Sequence, residues 1–306
     1  MPTEAEAMVP TEDWLIVLYV AVDTWWQRAG RGQVPRRPGP VPACSDPELI
    51  TLALAGEFLE RRSARAWRAE VLTDWRRLFP RVPAQSEWNR RVRWLWGAFE
   101  ALRQFWLHPL PVAAGGWLAI DTAPLPITHA SRVRGTTPCT WVGPAEDLAP
   151  RFGFCAALDR WFYGFRLALR TGLTDGLIRG WAIVPAAVDE RRVADGLLAD
   201  ERDVGLLTDQ GFRSVWWARR WADAQGVRLL LAPSKHERTG ATRPTTIAWF
   251  VATFRNRIEA TNDTRKDRFH LERHQAKHFW GLLTRVAAKI AAHTFTKLWP
   301  LNLIPV

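Results

Sequence analysis

Three acidic side chains carry the chemistry this sequence could perform. Asp121 closes the apolar run Trp117–Ile120, and Asp209 closes a second, Val204–Thr208, followed at once by Gln210-Gly211-Phe212. Glu259 lies in a segment of helical texture, Arg255-Asn256-Arg257-Ile258-Glu259. Two carboxylates at strand ends and a third on a later helix can converge and hold two divalent cations, the arrangement that makes and breaks phosphodiester bonds. Each residue also has an ordinary reading. An aspartate after a strand commonly caps a turn, and arginine four residues before glutamate is a frequent surface ion pair. Arg255, Glu259, Asn262 and Lys266 nevertheless fall on one helical stripe. Such a stripe is too polar for a core, so it is either solvated or faces a polyanion and its metals.

Positioning these groups requires two kinds of architecture. Residues 11–110 read as helical, opening with Trp14–Trp26, followed by an Arg-, Gly- and Pro-rich linker over 27–44. Ser45-Asp46-Pro47-Glu48 has the pattern of a reciprocal helix cap. Helical periodicity follows over 48–65, with one further helix within 66–78 and another within 86–106. From Trp117 the texture changes to strands and helices in alternation. Strands are expected at 117–122, 162–170, 177–184, 205–209 and 227–232, with helices at 189–200 and 214–225. This order predicts an α/β sheet that begins as an antiparallel meander and continues by right-handed crossovers. Residues 123–161 read as an irregular excursion. The domains expected are a helical region over 1–112, for DNA binding or dimerisation, and a catalytic region over 113–306.

Charge points to the partner. The chain carries +11, and residues 210–306 hold 17 basic against 6 acidic side chains, so the excess sits in the last third beside Glu259. A basic surface next to a carboxylate cluster suits a nucleic acid. No apolar run reaches the ~20 residues that cross a bilayer, and Glu4, Glu6 and Glu12 are unlike a basic leader. Three cysteines without a CxxC pair suit a reducing, cytoplasmic setting.

At this point the chain resembles a known family. Asp209-Gln210-Gly211-Phe212 looks like the Asp-x-Gly-Tyr element of the DDE transposases of bacterial insertion sequences, and Arg255-x3-Glu259-x6-Lys266 looks like their Tyr-Arg-Glu-Lys signature. Asp121-Thr122-Ala123-Pro124 resembles the first-aspartate segment, and Tyr163-Gly164-Phe165-Arg166 the Tyr-Gly-Tyr-Lys strand. The resemblance covers roughly residues 45–295. Ala252 stands where the signature tyrosine would fall, which puts that DNA contact in doubt. The resemblance implies an RNase H-like mixed sheet flanked by helices and preceded by an all-helical N-terminal region. It implies Asp121, Asp209 and Glu259 as ligands of two Mg2+ ions, with Mn2+ as a substitute. It implies transposon ends and target DNA as substrates, a homodimer in the synaptic complex and a nucleoid-associated location in the bacterial cytoplasm. Arg255, Arg257, Asn262 and Lys266 would contact DNA, joined by His129 and Arg132 from the loop after the first aspartate. The alternatives are a catalytically inactive DNA-binding descendant and a nuclease of the same fold that hydrolyses without strand transfer.

Two further features invite a function. His270, His274 and His278 recur every fourth residue and could bind a transition metal on a helix, although the arginines and lysine among them favour contact with DNA or solvent. The 19 tryptophans could stack on bases. Helical spacing among apolar neighbours instead places Trp67, Trp94 and Trp106 in the core.

Overall fold

The computed structural model describes residues 11–35, 39–61, 63–112, 115–133, 135, 139–145, 147–155, 159–232 and 274–304. The chain forms two compact units, Met1–Leu110 with Leu283–Val306, and Pro111–Leu282. Residues 283–306 belong with the N-terminal helices, so the division differs from the single cut at 112/113 read in the sequence.

In the first unit, α1 (Thr11–Trp25) runs through one π-helical turn, Trp26–Gly30, into the short α2 (Arg31–Gln33). It is followed by α3 (Asp46–Phe58), α4 (Ala64–Asp74), α5 (Gln85–Trp94) and α6 (Trp96–Leu107). The reciprocal cap read in the sequence forms: the Glu48 amide donates to Ser45 Oγ at 3.3 Å, and the Ser45 amide donates to Glu48 Oε2 at 2.6 Å. Helix α3 stops at Phe58 rather than near 65, because Glu60 takes a left-handed φ of 57° that turns the chain. The single helix expected over 86–106 is two, parted at Leu95.

The last helix, α9 (Phe279–Leu298), contributes its later turns to this unit. Phe295 meets Trp106 at 5.5 Å and Trp14 edge-on at 5.7 Å, while Trp14 stacks on Phe58 at 4.0 Å. Lys289 pins the same helix to Glu57 at 2.6 Å. Burying Trp14, Trp106 and Phe295 contributes about 1.5–3 kcal/mol each.

The second unit is α/β. Six strands form one mixed sheet: β1 (Trp117–Thr128), β2 (Arg151–Cys155), β3 (Arg160–Gly172), β4 (Ile178–Pro185), β5 (Gly205–Thr208) and β6 (Arg228–Leu231). The order is β2-β3-β1-β5-β6, with β4 also pairing β3. β3 is antiparallel to β1, β2 and β4, whereas β1–β5 and β5–β6 are parallel. α7 (Glu190–Leu198) joins β4 to β5, and α8 (Val215–Gln225) joins β5 to β6. Leu118, Ile120 and Leu206 pack on one sheet face against Ala194, Leu198 and Trp221 of these helices. Ala119, Leu207 and Leu173 cluster with one another on the other face.

Two departures from the sequence reading matter for function. β1 runs to Thr128, six residues past the expected end. Pro124 and Pro126 are tolerated inside it because the β1–β5 ladder ends at Ala119, leaving that side of the strand without a partner strand among the described residues where the prolines lack a donor. The excursion over 123–161 also contains an unforeseen strand, β2. Its central Gly153 lets Ala186 approach, since a Cβ there would stand 2.7 Å from the Ala186 Cβ. Gly164 on β3 has a φ of 157° beside the β1 bulge at Pro126/Thr128, and any side chain there would overlap the Leu125 carbonyl oxygen.

Among the described residues, no helix is long and apolar enough to cross a membrane.

Candidate active site

Asp121 and Asp209 are placed by the parallel pairing of β1 and β5. The register sets Trp117 beside Gly205, Leu118 beside Leu206 and Ala119 beside Leu207, where the ladder ends. Two residues further along each chain stand Asp121 and Asp209. Alternation along a strand puts both on the face shared by Ala119 and Leu207, at one level on neighbouring chains. Adjacent strands are about 4.8 Å apart, so the two carboxylates emerge side by side at the carboxyl end of a parallel pair, where α/β sheets form their binding crevices. Asp121 does not end its strand as the sequence suggested. It lies within β1, opposite Leu169 of β3, just past the last residue bonded to β5.

Each residue of the Asp209-Gln210-Gly211-Phe212 turn has a separate task. Asp209 remains extended and caps the 3-10 turn Gln210–Phe212, its Oδ1 accepting from the Gly211 amide at 2.9 Å. The cap occupies one carboxylate oxygen and is compatible with a cation on the other. Gln210 donates its side-chain amide to the Ala232 carbonyl just beyond β6. Phe212 is buried in the core beneath α7 and α8.

Gly211 leaves room for a residue the sequence did not single out. A Cβ at Gly211 would stand 3.1 Å from Asp209 Oδ1 and 3.4 Å from Glu190 Oε2, so both carboxylates close on one point. Glu190, the first residue of α7, accepts from Thr122 Oγ1 at 2.9 Å and from the Arg166 guanidinium, both through Oε1. Arg166 also donates to the Phe154 carbonyl at 3.3 Å. Glu190 thus ties β1, β3 and α7 together beside the Asp209 turn, and Arg166 balances its charge. Position in the sequence gave no sign of this clamp, because its members are separated by 68 and 24 residues. The only local hint was Asp189-Glu190 at a helix start. There Asp189 caps α7, and hydrogen bonding from Arg191 holds its carboxyl below the usual range.

The remaining candidates are distributed unevenly. Glu259, Arg255, Arg257, Asn262 and Lys266 lie outside the described residues, as do Ala252 and His270. His129 and Arg132 are exposed, on a 3-10 turn at the far end of β1. Eight residues of strand separate His129 from Asp121, about 26 Å at 3.3 Å per residue, so they do not border the aspartates. His274 and His278 precede α9 and are not helical. His274 is buried rather than facing DNA or solvent, its Nε2 3.0 Å from the Pro126 carbonyl and its Nδ1 accepting from the Ala276 amide at 3.1 Å. Trp67 and Trp106 are core residues, but Trp94 is exposed and donates to the Pro35 carbonyl at 3.3 Å. Here the expectation from periodicity fails because α5 ends at residue 94 and presents it to Pro35.

Among the described residues, no three His, Cys, Asp or Glu side chains cluster closely enough to form a metal site. The two aspartates offer hard oxygen donors on one face, which suits Mg2+ or Mn2+. Comparison of the chain with protein-family models and with curated proteins finds no match.

Proposed function

We propose that the chain is a DDE transposase with an RNase H-like catalytic domain, cutting the ends of a DNA element and joining them to a target. The observation that carries this reading is the placement of Asp121 and Asp209 at one level of neighbouring parallel strands, on one face of the sheet. Further support comes from the strand order, an antiparallel meander followed by two strands added in parallel, and from the excess of basic residues in the last third of the chain.

Asp121 and Asp209 would hold two divalent cations together with Glu259. When bound, such a pair supplies an activated water and stabilises the departing 3′ oxygen. The chain's own part is positional. β1 and β5 set the separation of the aspartates, the Glu190–Arg166–Thr122 clamp holds β1, β3 and α7 together beside the adjoining turn, and Gln210 and Phe212 anchor that turn. Arg255 and Lys266 would grip phosphates beside the scissile bond through charge-assisted contacts. The N-terminal helices would serve end binding or dimerisation.

The test is a supercoiled-plasmid assay with Mg2+ and a DNA fragment carrying the element's ends. Asp121→Asn, Asp209→Asn and Glu259→Gln should each abolish nicking and end joining while DNA retention on a gel persists. Retained nicking by Asp121→Asn or Asp209→Asn would refute the assignment. Nicking without joined product would make the protein a nuclease.

A further inference from the structure

The β2–β3 hairpin carries an aromatic surface that the chemistry above leaves unused. The register pairs Phe154 with Trp161 and Phe152 with Tyr163. The Phe154 and Trp161 rings are 5.5 Å apart, and those of Phe152 and Tyr163 4.9 Å. Phe152 is 46%, Phe154 41% and Trp161 61% exposed, although each is among the largest apolar side chains in the sequence. Leaving such area in water is unfavourable, which marks the patch as a contact surface.

Its place in the sheet indicates which contact. Residues 161, 163, 165, 167 and 169 of β3 share one face by alternation, and Leu169 is the partner of Asp121. The rings therefore stand on the same face as the two aspartates. Tyr163 lies six residues from Leu169 along β3, about 20 Å away, and Trp161 about 26 Å. Between them Phe165 is covered by Phe279 at 5.4 Å and Tyr163 is itself buried, so on β3 the exposed rings begin at Trp161.

Two features favour a nucleic acid over a second copy of the chain. The rungs consist only of aromatic rings, with no aliphatic side chain among them, and successive rungs are about 6.8 Å apart, two residues of strand, which is the rise of two stacked bases. Arg132 also lies near the patch, exposed on the 3-10 turn that follows β1 and contacts β3, with Asp159 as the acidic neighbour at the hairpin tip; Arg151 and Arg160, at the two ends of the β2 ladder, are exposed but project from the opposite face by alternation.

Resting on the reading of the chain as a DNA-processing enzyme, we infer that this hairpin is a stacking platform for unpaired bases of the DNA strand whose phosphate lies at the aspartates. Phe152, Phe154 and Trp161 hold the bases, and Arg132 attracts the backbone.

The experiment titrates the full-length protein, with divalent cations chelated, into a short labelled single-stranded oligonucleotide and into its duplex. The proteins compared are the wild type, Phe154→Ala/Trp161→Ala and the ring-preserving Phe154→Tyr/Trp161→Phe. Stacking is worth roughly 5- to 150-fold in affinity per base, so the alanine pair should lose at least tenfold on the single strand, lose less on the duplex, and be rescued by the ring-preserving pair. Both side chains are more than a third exposed, so the alanine pair should lose only the cross-strand ring contact, a small fall in the thermal unfolding midpoint that the ring-preserving pair restores. Unchanged single-strand affinity in the alanine pair overturns the platform and leaves the transposase reading standing. Conversion of a wild-type dimer to monomers, with affinity per protomer unchanged, also overturns it and makes the hairpin a self-association surface. Failure of the wild type to bind either DNA defeats the underlying reading itself.

Discussion

Replacing Glu190 by alanine tests whether the clamp beside the aspartates is a working part of the second unit. The carboxylate receives one neutral hydrogen bond, from Thr122 Oγ1 at 2.9 Å, and one ionic bond from Arg166. The Glu190 and Arg166 side chains are 24% and 13% exposed, so neither is fully solvated. A neutral hydrogen bond contributes about 1 kcal/mol net and one to a charged group about 1.5–3 kcal/mol. Among the described residues, removing the carboxylate also leaves the Arg166 guanidinium with only the Phe154 carbonyl. Discounted for partial exposure, the loss for Glu190→Ala is about 2–3 kcal/mol. Glu190→Gln keeps an acceptor for Thr122 and loses only the ionic component, about 1 kcal/mol.

Guanidinium unfolding curves of Glu190→Ala, Glu190→Gln, Arg166→Met and Glu190→Ala/Arg166→Met measure these values and the coupling between the partners. The double variant should fall short of the sum of the singles by about 1 kcal/mol or more. Nicking assayed well below the melting temperature should drop about tenfold or more in Glu190→Ala, because loosening β1 against β3 and α7 beside the Asp209 turn misplaces the Asp121 carboxylate on β1. Strict additivity, or a Glu190→Ala midpoint equal to that of the wild type, would refute the clamp.

Two other outcomes follow from single positions. Burial, with Glu48 nearby, raises the Cys44 thiol to about 11, whereas an unfolded cysteine ionises near 8.5. Between these values the folded chain holds a proton that the unfolded chain releases, so this group lowers stability as pH rises from about 8.5 to about 11; below 8.5 its contribution is flat. Unfolding curves of wild type and Cys44→Ala across that range should converge toward the alkaline end if the substitution is otherwise the more costly, and a pH-independent difference would contradict the assignment. Thiol labelling at neutral pH should modify the half-buried Cys155 well before the buried Cys44. Gly164→Ala forces a methyl group onto the Leu125 carbonyl oxygen beside the β1 bulge. It should cost about 2 kcal/mol or more through backbone displacement, read as a lowered thermal midpoint, and an unchanged midpoint would mean that β1 and β3 separate there freely.

How far the sequence could be read depended on whether a feature was local. The Ser45–Glu48 cap formed as read because both partners lie within one helical turn. Strands of steady apolar texture, such as 205–208 and 178–185, were located to within a residue or two. β1 was cut short because Pro124 and Pro126 argue against a strand unless one knows that its β5 side has no partner strand there among the described residues, a tertiary fact. β2 was missed because five residues with glycine at the centre carry too little periodicity. The site divides in the same way. Asp121 and Asp209 were visible as acids closing apolar runs, but only the pairing of Ala119 with Leu207 puts them on one face. Glu190 stayed hidden because its partners come from two other elements.

The length of β1 links the two sites proposed for this sheet. Had the strand stopped at Thr122, His129 and Arg132 would lie in a loop beside Asp121, and the carboxylates and the loop would form one site. Because the strand continues to Thr128, where it meets Tyr163, the same element has a carboxylate near its start and exposed basic residues beyond its end. A rigid, paired strand keeps that separation fixed, whereas a loop would let it vary. A DNA strand held at both places would therefore be measured against β1–β3. Inserting two residues both in β1 between Pro124 and Leu125 and in β3 between Phe165 and Arg166 lengthens the ladder without exchanging its faces, so it should impair cleavage more than single-strand binding, and an equal loss of both would contradict the fixed spacing.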